Sequence, residues 1–132
     1  MHLKVRNEKG EVLKAGCVVV NDQKEILVID VEGYDHDEFP KGHAEPGESL
    51  EHVAVRETKE ETGYDVEIVR PLPDVVYHDD KYGDSVRLAL FQAKPLTKSG
   101  PGEKNIHPQW LSCNEAKKRI YPDLAPIIEK LS

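Results

Sequence analysis

Three glutamates stand at the spacing that brings side chains onto one face of a helix. Glu57, Glu60 and Glu61 occupy positions i, i+3 and i+4, so their carboxylates would crowd together if this stretch is helical. Like charges at that spacing destabilise a helix by about 0.2–0.5 kcal/mol per pair, unless a cation compensates. Because clustered carboxylate oxygens suit Mg²⁺ or Mn²⁺, we predict a divalent-metal site. Taken alone, the three glutamates also fit a solvated acidic helix face.

Two further charged residues favour the metal site over the solvated face. Glu48 lies eight residues before Arg56, and Arg56 directly precedes Glu57. We expect a bidentate pair in which the guanidinium of Arg56 anchors the carboxylate of Glu48 and holds a loop against the helix. Gly42 and Gly47 would let that loop turn tightly and approach a ligand closely.

The segment from residue 42 to residue 64 resembles the signature of the Nudix hydrolase family. That signature is Gly, five residues, Glu, seven residues, Arg-Glu, an apolar residue, any residue, Glu-Glu, any residue, Gly and an apolar residue. Thr58 and Tyr64 stand at its apolar positions, and all seven fixed positions are filled, by Gly42, Glu48, Arg56, Glu57, Glu60, Glu61 and Gly63. The resemblance implies a single domain over residues 1–132 with the Nudix-type α/β/α sandwich, in which a mixed sheet lies between helices.

The resemblance also implies a role for each residue of the segment. Glu57, Glu60 and Glu61 are expected to bind Mg²⁺ or Mn²⁺, with the carbonyl of Gly42 as a further ligand, whereas Glu48 and Arg56 are expected to be structural supports. Family members take the proton of the attacking water on different glutamates. Here the candidates are those of the helix and, downstream, Glu103 in a Gly-rich stretch where loops tend to close over a site. An exposed loop carboxylate is the alternative for Glu103.

The residues around the segment suggest a substrate. Phe39–His43, leading into Glu45–Glu48, resembles the opening of asymmetric dinucleoside tetraphosphate hydrolases. Lys41 would help to neutralise a phosphate, and His43 is either a hydrogen-bonding partner of phosphate or water, or a structural residue. Tyr82 stands 18 positions past Tyr64, where family members acting on such dinucleotides often carry a Tyr that could stack on a base; an exposed turn Tyr is the alternative.

Other residues separate neighbouring possibilities. A Pro near position 80 would have indicated ADP-ribose as substrate, and Asp80 stands there. Tyr77, His78 and Tyr121 are further candidates for a base pocket, although only one of Tyr77 and His78 can point inward from a regular strand. Trp110 is expected in the core. The histidines lack zinc-ligand spacing with any Cys, so zinc is not expected.

Predicted strands and helices alternate along the chain, which indicates layers of sheet and helix. The predicted helix over Ser49–Thr62 begins at a Ser and stops before Gly63. A flexible loop is expected at residues 97–102, and a final helix is indicated by Ser112 with Glu115 and by apolar residues up to Leu131. Strands are predicted at residues 12–20, 25–29 and 64–69, in a hairpin over 74–79 and 85–93, and at 109–111.

Composition limits the classes of partner. The 132 residues, 38% of them hydrophobic and 6% aromatic, suit one domain with a core of Val, Ile and Leu. A net charge of −7 argues against a nucleic-acid partner, and a metal ion is one way in which such a protein could accommodate an anionic substrate. Cys17 and Cys113, each beside apolar residues, are expected to be buried thiols. With no apolar run of about 18 residues and no signal-peptide core in Met1–Arg6, we expect a cytoplasmic protein without a membrane partner, either monomer or dimer.

These observations predict a metal-dependent hydrolase that cuts a phosphoanhydride bond in a small nucleotide substrate. The resemblance favours asymmetric cleavage of diadenosine tetraphosphate to ATP and AMP. Nucleoside triphosphates including oxidised ones, diphosphoinositol polyphosphates and ADP-ribose are the alternative substrates. A non-catalytic nucleotide sensor is disfavoured because all three helix carboxylates are present, and a calcium-binding structural domain because an Asp-rich loop is absent.

Overall fold

The computed structural model describes residues 4–132 of the chain. Residues 1–3 lie outside the described residues. They are part of the domain predicted over residues 1–132 and of the segment Met1–Arg6, in which the sequence shows no signal-peptide core. The elements follow one another as β1 (Val12–Val19), β2 (Ile26–Val31), β3 (Lys41–His43), α1 (Leu50–Thr62), β4 (Tyr64–Pro71), β5 (Val75–Asp79), β6 (Asp84–Lys98), β7 (Ile106–Leu111), α2 (Cys113–Arg119) and α3 (Ala125–Ile128).

The main sheet is mixed. Its strand order is β3-β1-β6-β4, with β5 also paired to the long strand β6. β1 and β6 run parallel, whereas β3, β4 and β5 pair antiparallel with their neighbours. β2 and β7 form a separate antiparallel pair. The predicted combination of a mixed sheet with helices is therefore confirmed, with a second two-stranded sheet that the sequence did not indicate.

Two hydrophobic clusters occupy opposite faces of the main sheet, because successive side chains of a strand alternate in direction. On one face, Ala15, Cys17 and Val19 of β1 pack with Val53 and Ala54 of α1. On the other face, Val18 of β1 packs with residues of the C-terminal region, namely Ala116, Ile120, Ile127 and Ile128. The sheet thus holds α1 on one side and α2 with α3 on the other, as the α/β/α prediction requires.

Helix α1 has the ends that the sequence predicts. The side chain of Ser49 accepts a hydrogen bond from the backbone N–H of His52, and Gly63 closes the helix at φ 80°, a conformation that favours glycine. The buried face of α1 consists of Val53, Ala54, Thr58 and Thr62. Burying this face leaves the side that carries the glutamates turned toward β3.

The loop predicted at residues 97–102 begins at Ser99 instead of Thr97, and its flexibility stays a prediction. Thr97 and Lys98 belong to β6, and the N–H of Ser99 donates to the carbonyl of Gly63 over 2.8 Å. A Cβ on Gly63 would lie 1.9 Å from the carbonyl oxygen of Gly100. The absence of a side chain at Gly63 therefore lets this segment pack directly on the end of α1.

The C-terminal region departs from the prediction in two respects. The expected helix is divided into α2 and α3 by an interruption that contains Pro122, which cannot donate a helical hydrogen bond. Cys113 is exposed, so the prediction that both thiols are buried is right for Cys17 and wrong for Cys113. Cys113 is the first residue of α2, whereas the buried position of that helix is Ala116. Within residues 4–132, no helix has the length and apolarity needed to cross a membrane.

Candidate functional site

A bidentate ion pair fixes the loop before α1 against the helix. Arg56 donates from Nε and Nη2 to the two carboxylate oxygens of Glu48, over 2.7 and 2.8 Å. Glu48 also accepts a hydrogen bond from the backbone N–H of Glu45 over 2.9 Å. The hydrogen bonds from Arg56 lower the pKa of Glu48 to about 2, and the charged pair predicted from the sequence is therefore present.

The acidic face of α1 lies directly against β3. A Cβ on Gly42 would lie 2.1 Å from the carboxyl carbon of Glu57, so only glycine leaves room for that carboxylate. The neighbouring Glu61 accepts a hydrogen bond from the backbone N–H of Lys41 over 2.8 Å. Strand β3 and helix α1 thus hold two carboxylates at the same short stretch of backbone.

Crowding of negative charge perturbs these carboxylates. Burial first, and then the charges of Glu57 and Glu103, raise the pKa of Glu61 to about 8 against the opposing hydrogen bond and charge of Lys41. Burial, followed by the charge of Glu60, also raises the pKa of Glu57. A cation among these oxygens would relieve both the repulsion and the burial of charge.

The chemistry of these donors fits a hard divalent cation, although the side chains are not gathered around a common point. Among residues 4–132, no three His, Cys, Asp or Glu side chains are grouped as metal ligands. The reason is Arg56, whose Nη1 donates to Glu57 over 2.9 Å and to Glu60 over 3.2 Å. The side chain of Glu60 is 47% exposed, so it has room to turn. Mg²⁺ or Mn²⁺ would be held by the carboxylates of residues 57, 60 and 61 beside Gly42.

Glu103 lies on the segment that packs against the end of α1. A Cβ on the preceding Gly102 would lie 2.6 Å from the backbone carbonyl oxygen of Glu61. Glu103 is exposed, and its charge contributes to the raised pKa values of Glu57 and Glu61. The structure therefore brings the downstream candidate close to the helix carboxylates.

A pocket of about 690 Å³ opens beside the acidic face. Glu61 is among its lining residues, whereas Glu57, Glu60 and Glu103 lie outside its lining. All six residues that the sequence nominated for substrate contact line the same pocket, namely Lys41, His43, Tyr77, His78, Tyr82 and Tyr121. The pocket thus joins one end of the acidic face to residues from three separate parts of the chain.

Lys41 supplies positive charge near the carboxylates. Its ammonium lies 3.1 Å from a carboxylate oxygen of Glu38, and its side chain is largely buried. Burial by itself lowers the pKa of Lys41, but the charges of Glu38, Tyr77 and Glu61 outweigh burial, so the pKa is raised. Lys41 therefore keeps its charge where the acidic face meets the pocket.

Three tyrosines stand along the rest of the pocket in different environments. Tyr77 is half-buried and packs against the core, whereas the side chain of the next residue, His78, is 59% exposed, as strand alternation predicts. The ring of Tyr121 lies 4.8 Å from the ring of His36. Tyr82 is 62% exposed at the hairpin tip. The prediction that Trp110 belongs to the core is consistent with its packing against the cluster under α1.

Sequence reasoning missed Lys14, which also lines the pocket. Lys14 lies inside the otherwise apolar strand β1, where its backbone pairs with His43 of β3. The available signal was a single charged residue within a strand predicted to be buried. The pocket-lining residues Glu38 and Tyr34 were also missed, because an acidic loop is compatible with many structures.

The chain is similar in sequence to known proteins. A sequence model of the NUDIX domain matches residues 10–131. A Bacillus subtilis (strain 168) protein named "Putative 8-oxo-dGTP diphosphatase" is 35% identical over 98 residues, which cover 74% of this chain and 64% of that protein, just under two thirds of its length.

Solved structures share the arrangement of strands and helices. The MutT protein from Methanosarcina mazei Go1 superposes with a TM-score of 0.77 at 19% identity, covering 94% of each chain. A C. elegans Ap4A hydrolase binary complex superposes with a TM-score of 0.71 at 24% identity, covering 89% of this chain and 93% of that chain. These likenesses demonstrate a common single-domain fold.

Proposed function

This chain belongs to the Nudix family, and we propose that it is a metal-dependent pyrophosphohydrolase acting on a nucleotide with a chain of phosphates. The preferred substrate in this proposal is diadenosine tetraphosphate, cleaved asymmetrically to ATP and AMP. Mg²⁺ or Mn²⁺ is the proposed cofactor. Cytoplasmic localisation and the choice between monomer and dimer remain predictions from the sequence.

One observation carries the proposal: the acidic face of α1 meets a pocket that contains both an ammonium and aromatic rings. Glu61 and Lys41 stand at the same end of that pocket, and Tyr77, Tyr82 and Tyr121 also line it. A nucleotide has the matching parts, because its phosphates are anionic and its base has flat faces that can stack. An acidic face that served only to meet solvent would not need a pocket of this composition beside it.

The position of each residue suggests its role in the proposed reaction. A bound divalent ion would neutralise phosphate oxygens and make a water molecule more acidic. Lys41 would bind a phosphate oxygen at the entrance to the acidic face, since its ammonium is held there by Glu38. The pair of Arg56 and Glu48 would keep α1 and the preceding loop aligned, which preserves the short distance between the carboxylates and the phosphates.

The proton of the attacking water would pass to a glutamate, and the environments of the candidates differ. Glu61 is held by the N–H of Lys41, Glu57 is packed against Gly42, Glu60 is half-exposed and Glu103 is exposed on its loop. Single substitutions to Gln at each position separate these roles. The proton acceptor is the glutamate whose loss flattens the acidic limb of the pH–rate profile while metal affinity is kept.

The proposed dinucleotide substrate has support from the sequence and the pocket together. Lys41 and His43 come from the segment that resembles asymmetric dinucleoside tetraphosphate hydrolases, and both line the pocket. The exposed ring of Tyr82 offers a stacking surface at the hairpin tip. One of the proteins with a similar fold is an Ap4A hydrolase.

A second candidate substrate is an oxidised deoxynucleoside triphosphate. It is favoured by the 35% identity to the Bacillus subtilis protein whose name refers to 8-oxo-dGTP. The same pocket could hold one base and three phosphates. The phosphate chain of diadenosine tetraphosphate carries a nucleoside at both ends, whereas that of a nucleoside triphosphate carries one at a single end. The products of cleavage therefore distinguish the two candidates.

A panel of substrates tests the proposal. Diadenosine tetraphosphate, 8-oxo-dGTP, dGTP, a diphosphoinositol polyphosphate and ADP-ribose are compared with Mg²⁺ and with Mn²⁺, and products are identified by mass spectrometry. We expect the highest kcat/KM for diadenosine tetraphosphate, with ATP and AMP formed in equal amounts. Formation of two ADP would contradict asymmetric cleavage, and a higher kcat/KM for 8-oxo-dGTP would favour the second candidate.

The alternative of a non-catalytic nucleotide sensor needs its own control. Substituting both Glu60 and Glu61 with Gln should abolish hydrolysis and leave the fold intact. If the original protein and the double variant formed ATP and AMP equally fast, the proposed site would be wrong. If neither cleaved any substrate while the original protein bound nucleotides, the sensor would replace the hydrolase.

A further inference from the structure

Lys14 is a charged side chain placed inside a sheet beside the pocket. It lies in β1 between β3 and β6, where its backbone pairs with His43 and with Leu88. Its side chain lines the pocket, and burial lowers the pKa of its ammonium. A half-buried position in a strand interior is unfavourable for a lysine, so its presence calls for a physical reason.

The ammonium of Lys14 has no carboxylate partner within the part of the chain that the structure describes. The contact recorded for it is with the ring of Tyr77, whose centroid lies 5.9 Å away. The two neighbouring lysines differ in this respect, because Lys41 lies 3.1 Å from a carboxylate oxygen of Glu38 and Lys4 lies 2.7 Å from one of Asp84. Lys81, which lines the pocket and contacts the Tyr82 ring, is exposed to solvent and needs no anion. A partly buried cation without a close anion is costly, and an anionic ligand in the pocket would remove that cost.

Charged neighbours show which groups lie near the two pocket lysines. Lys41 is influenced by Glu61 of the acidic face. After burial, the pKa of Lys14 is influenced by Lys41, by Asp79 at the base of the hairpin, by Glu38 and by Lys4. The ammonium of Lys4 lies 4.4 Å from the centre of the Tyr82 ring at the hairpin tip. Lys14 is thus within electrostatic range of Lys41 beside the acidic face and of Lys4 beside Tyr82, and on β1 it lies two residues from Gly16, the partner of Lys41 in β3.

We propose that Lys14 binds a phosphate group that lies beyond the phosphate held at Lys41, which makes the pocket selective for chains of three or more phosphates. This inference rests on the proposed function, because it assumes that the anion in the pocket is a phosphate chain extending from the acidic face. A diphosphate would reach Lys41 and end before Lys14. A longer chain would reach both ammonium groups and continue toward the hairpin tip.

Direct binding tests the inference without relying on turnover. The original protein and the variant Lys14→Met are titrated with inorganic tripolyphosphate and with pyrophosphate in Mg²⁺ by calorimetry, with released orthophosphate monitored. We expect about tenfold weaker binding of tripolyphosphate, equivalent to about 1.4 kcal/mol, and less than about a twofold change for pyrophosphate. The variant Lys9→Met is the matched control, since Lys9 is exposed and its loss changes net charge equally. Equal weakening for both anions, or no weakening, would overturn the inference.

Kinetics with the substrate panel separates this inference from the proposed function. Lys14→Met should raise KM about tenfold for diadenosine tetraphosphate and less than about twofold for ADP-ribose, with little change in kcat. Suppose that the original protein cleaves neither substrate while Lys14→Met still weakens the binding of tripolyphosphate more than that of pyrophosphate. In that case the proposed function is wrong and the phosphate site at Lys14 stands. If the original protein cleaves both substrates and Lys14→Met raises KM equally for both, the phosphate site at Lys14 is wrong and the proposed function stands.

Thermal unfolding distinguishes a binding lysine from a structural one. Because the ammonium of Lys14 is partly buried without a close anion, Lys14→Met should melt at the same temperature as the original protein or a few degrees higher. Lys14→Arg, which retains the charge, should recover part of the tripolyphosphate affinity. A lower melting temperature in Lys14→Met, together with no recovery in Lys14→Arg, would assign Lys14 to the structure of the sheet and overturn the inference.

Discussion

The acidic face of α1 and the aromatic side of the pocket are built in different ways. The acidic face is positioned by contacts within residues 41–64, through the pairing of Arg56 with Glu48, the packing of Glu57 on Gly42 and the hydrogen bond from Lys41 to Glu61. The aromatic side combines Tyr77, Tyr82 and Tyr121 with Lys14, which come from three distant regions of the chain.

This difference suggests a division between chemistry and selection. The carboxylates are held by ion pairs and by the absence of a side chain at Gly42, so small displacements there should affect the reaction itself. The aromatic side includes an exposed ring at a hairpin tip, where a substitution alters one contact and leaves the carboxylates in place. We therefore expect kcat to depend mainly on the first region and KM mainly on the second.

Loss of charge on the acidic face should have the largest effect. Glu61→Gln keeps the shape of the side chain but removes a metal ligand, and we expect kcat/KM to fall about 10²–10³-fold, as when a single electrostatic group of an active site is removed. The matched control is Glu51→Gln on the exposed side of the same helix, which should behave like the original protein. Steady-state kinetics and magnesium titration measure both variants. Unchanged kcat in Glu61→Gln would break the proposed division.

A single methyl group at Gly42 should have the next largest effect. The added Cβ would lie 2.1 Å from the carboxyl carbon of Glu57, so Gly42→Ala must displace that carboxylate. Because the displaced group is the end of a flexible side chain, the fold should persist while kcat falls about 10–100-fold, as when support of a metal ligand is lost.

The control for this substitution is Gly100→Ala, because a Cβ on Gly100 would meet nothing within 4 Å. Circular dichroism and kinetics on the two alanine variants separate misfolding from displacement of Glu57. If Gly42→Ala retained full activity, the position of the Glu57 carboxylate would not matter for the reaction.

The ion pair behind the acidic face predicts a pH-dependent stability. Hydrogen bonds from Arg56 lower the pKa of Glu48 from 4.5 to about 2 in the folded protein. This stabilisation is therefore fully present above about pH 4.5 and is lost as the pH falls toward 2. Glu48→Gln should lower the free energy of unfolding by about 1–2 kcal/mol at pH 7, and this difference should shrink as the pH falls from 4.5 to 2.

Urea unfolding at pH 7, 4 and 3 measures this difference. The variant Glu51→Gln again serves as the control, since its exposed carboxylate should leave the pH dependence unchanged. A difference between Glu48→Gln and the original protein that stayed constant down to pH 3 would mean that the charge of Glu48 is not what fixes the loop.

The two regions also explain which features could be predicted from the sequence. The pair of Glu48 and Arg56 and both ends of α1 were predictable because their partners lie within a few turns of the same segment. Lys14 was missed because its position depends on β1 pairing with β3 and β6, which no local pattern specifies. Cys113 was assigned wrongly because apolar neighbours in sequence do not determine which side of a short helix faces solvent.

The smallest expected effect concerns the ring at the hairpin tip. Tyr82 is 62% exposed, and stacking of its ring on a base would contribute about 0.5–1.5 kcal/mol. Tyr82→Ala should therefore raise KM for diadenosine tetraphosphate about two- to tenfold and leave kcat nearly unchanged. Tyr82→Phe keeps the ring and should match the original protein. If the phenylalanine variant lost as much as the alanine variant, the hydroxyl would be the contacting group, and base stacking at this side of the pocket would have to be abandoned.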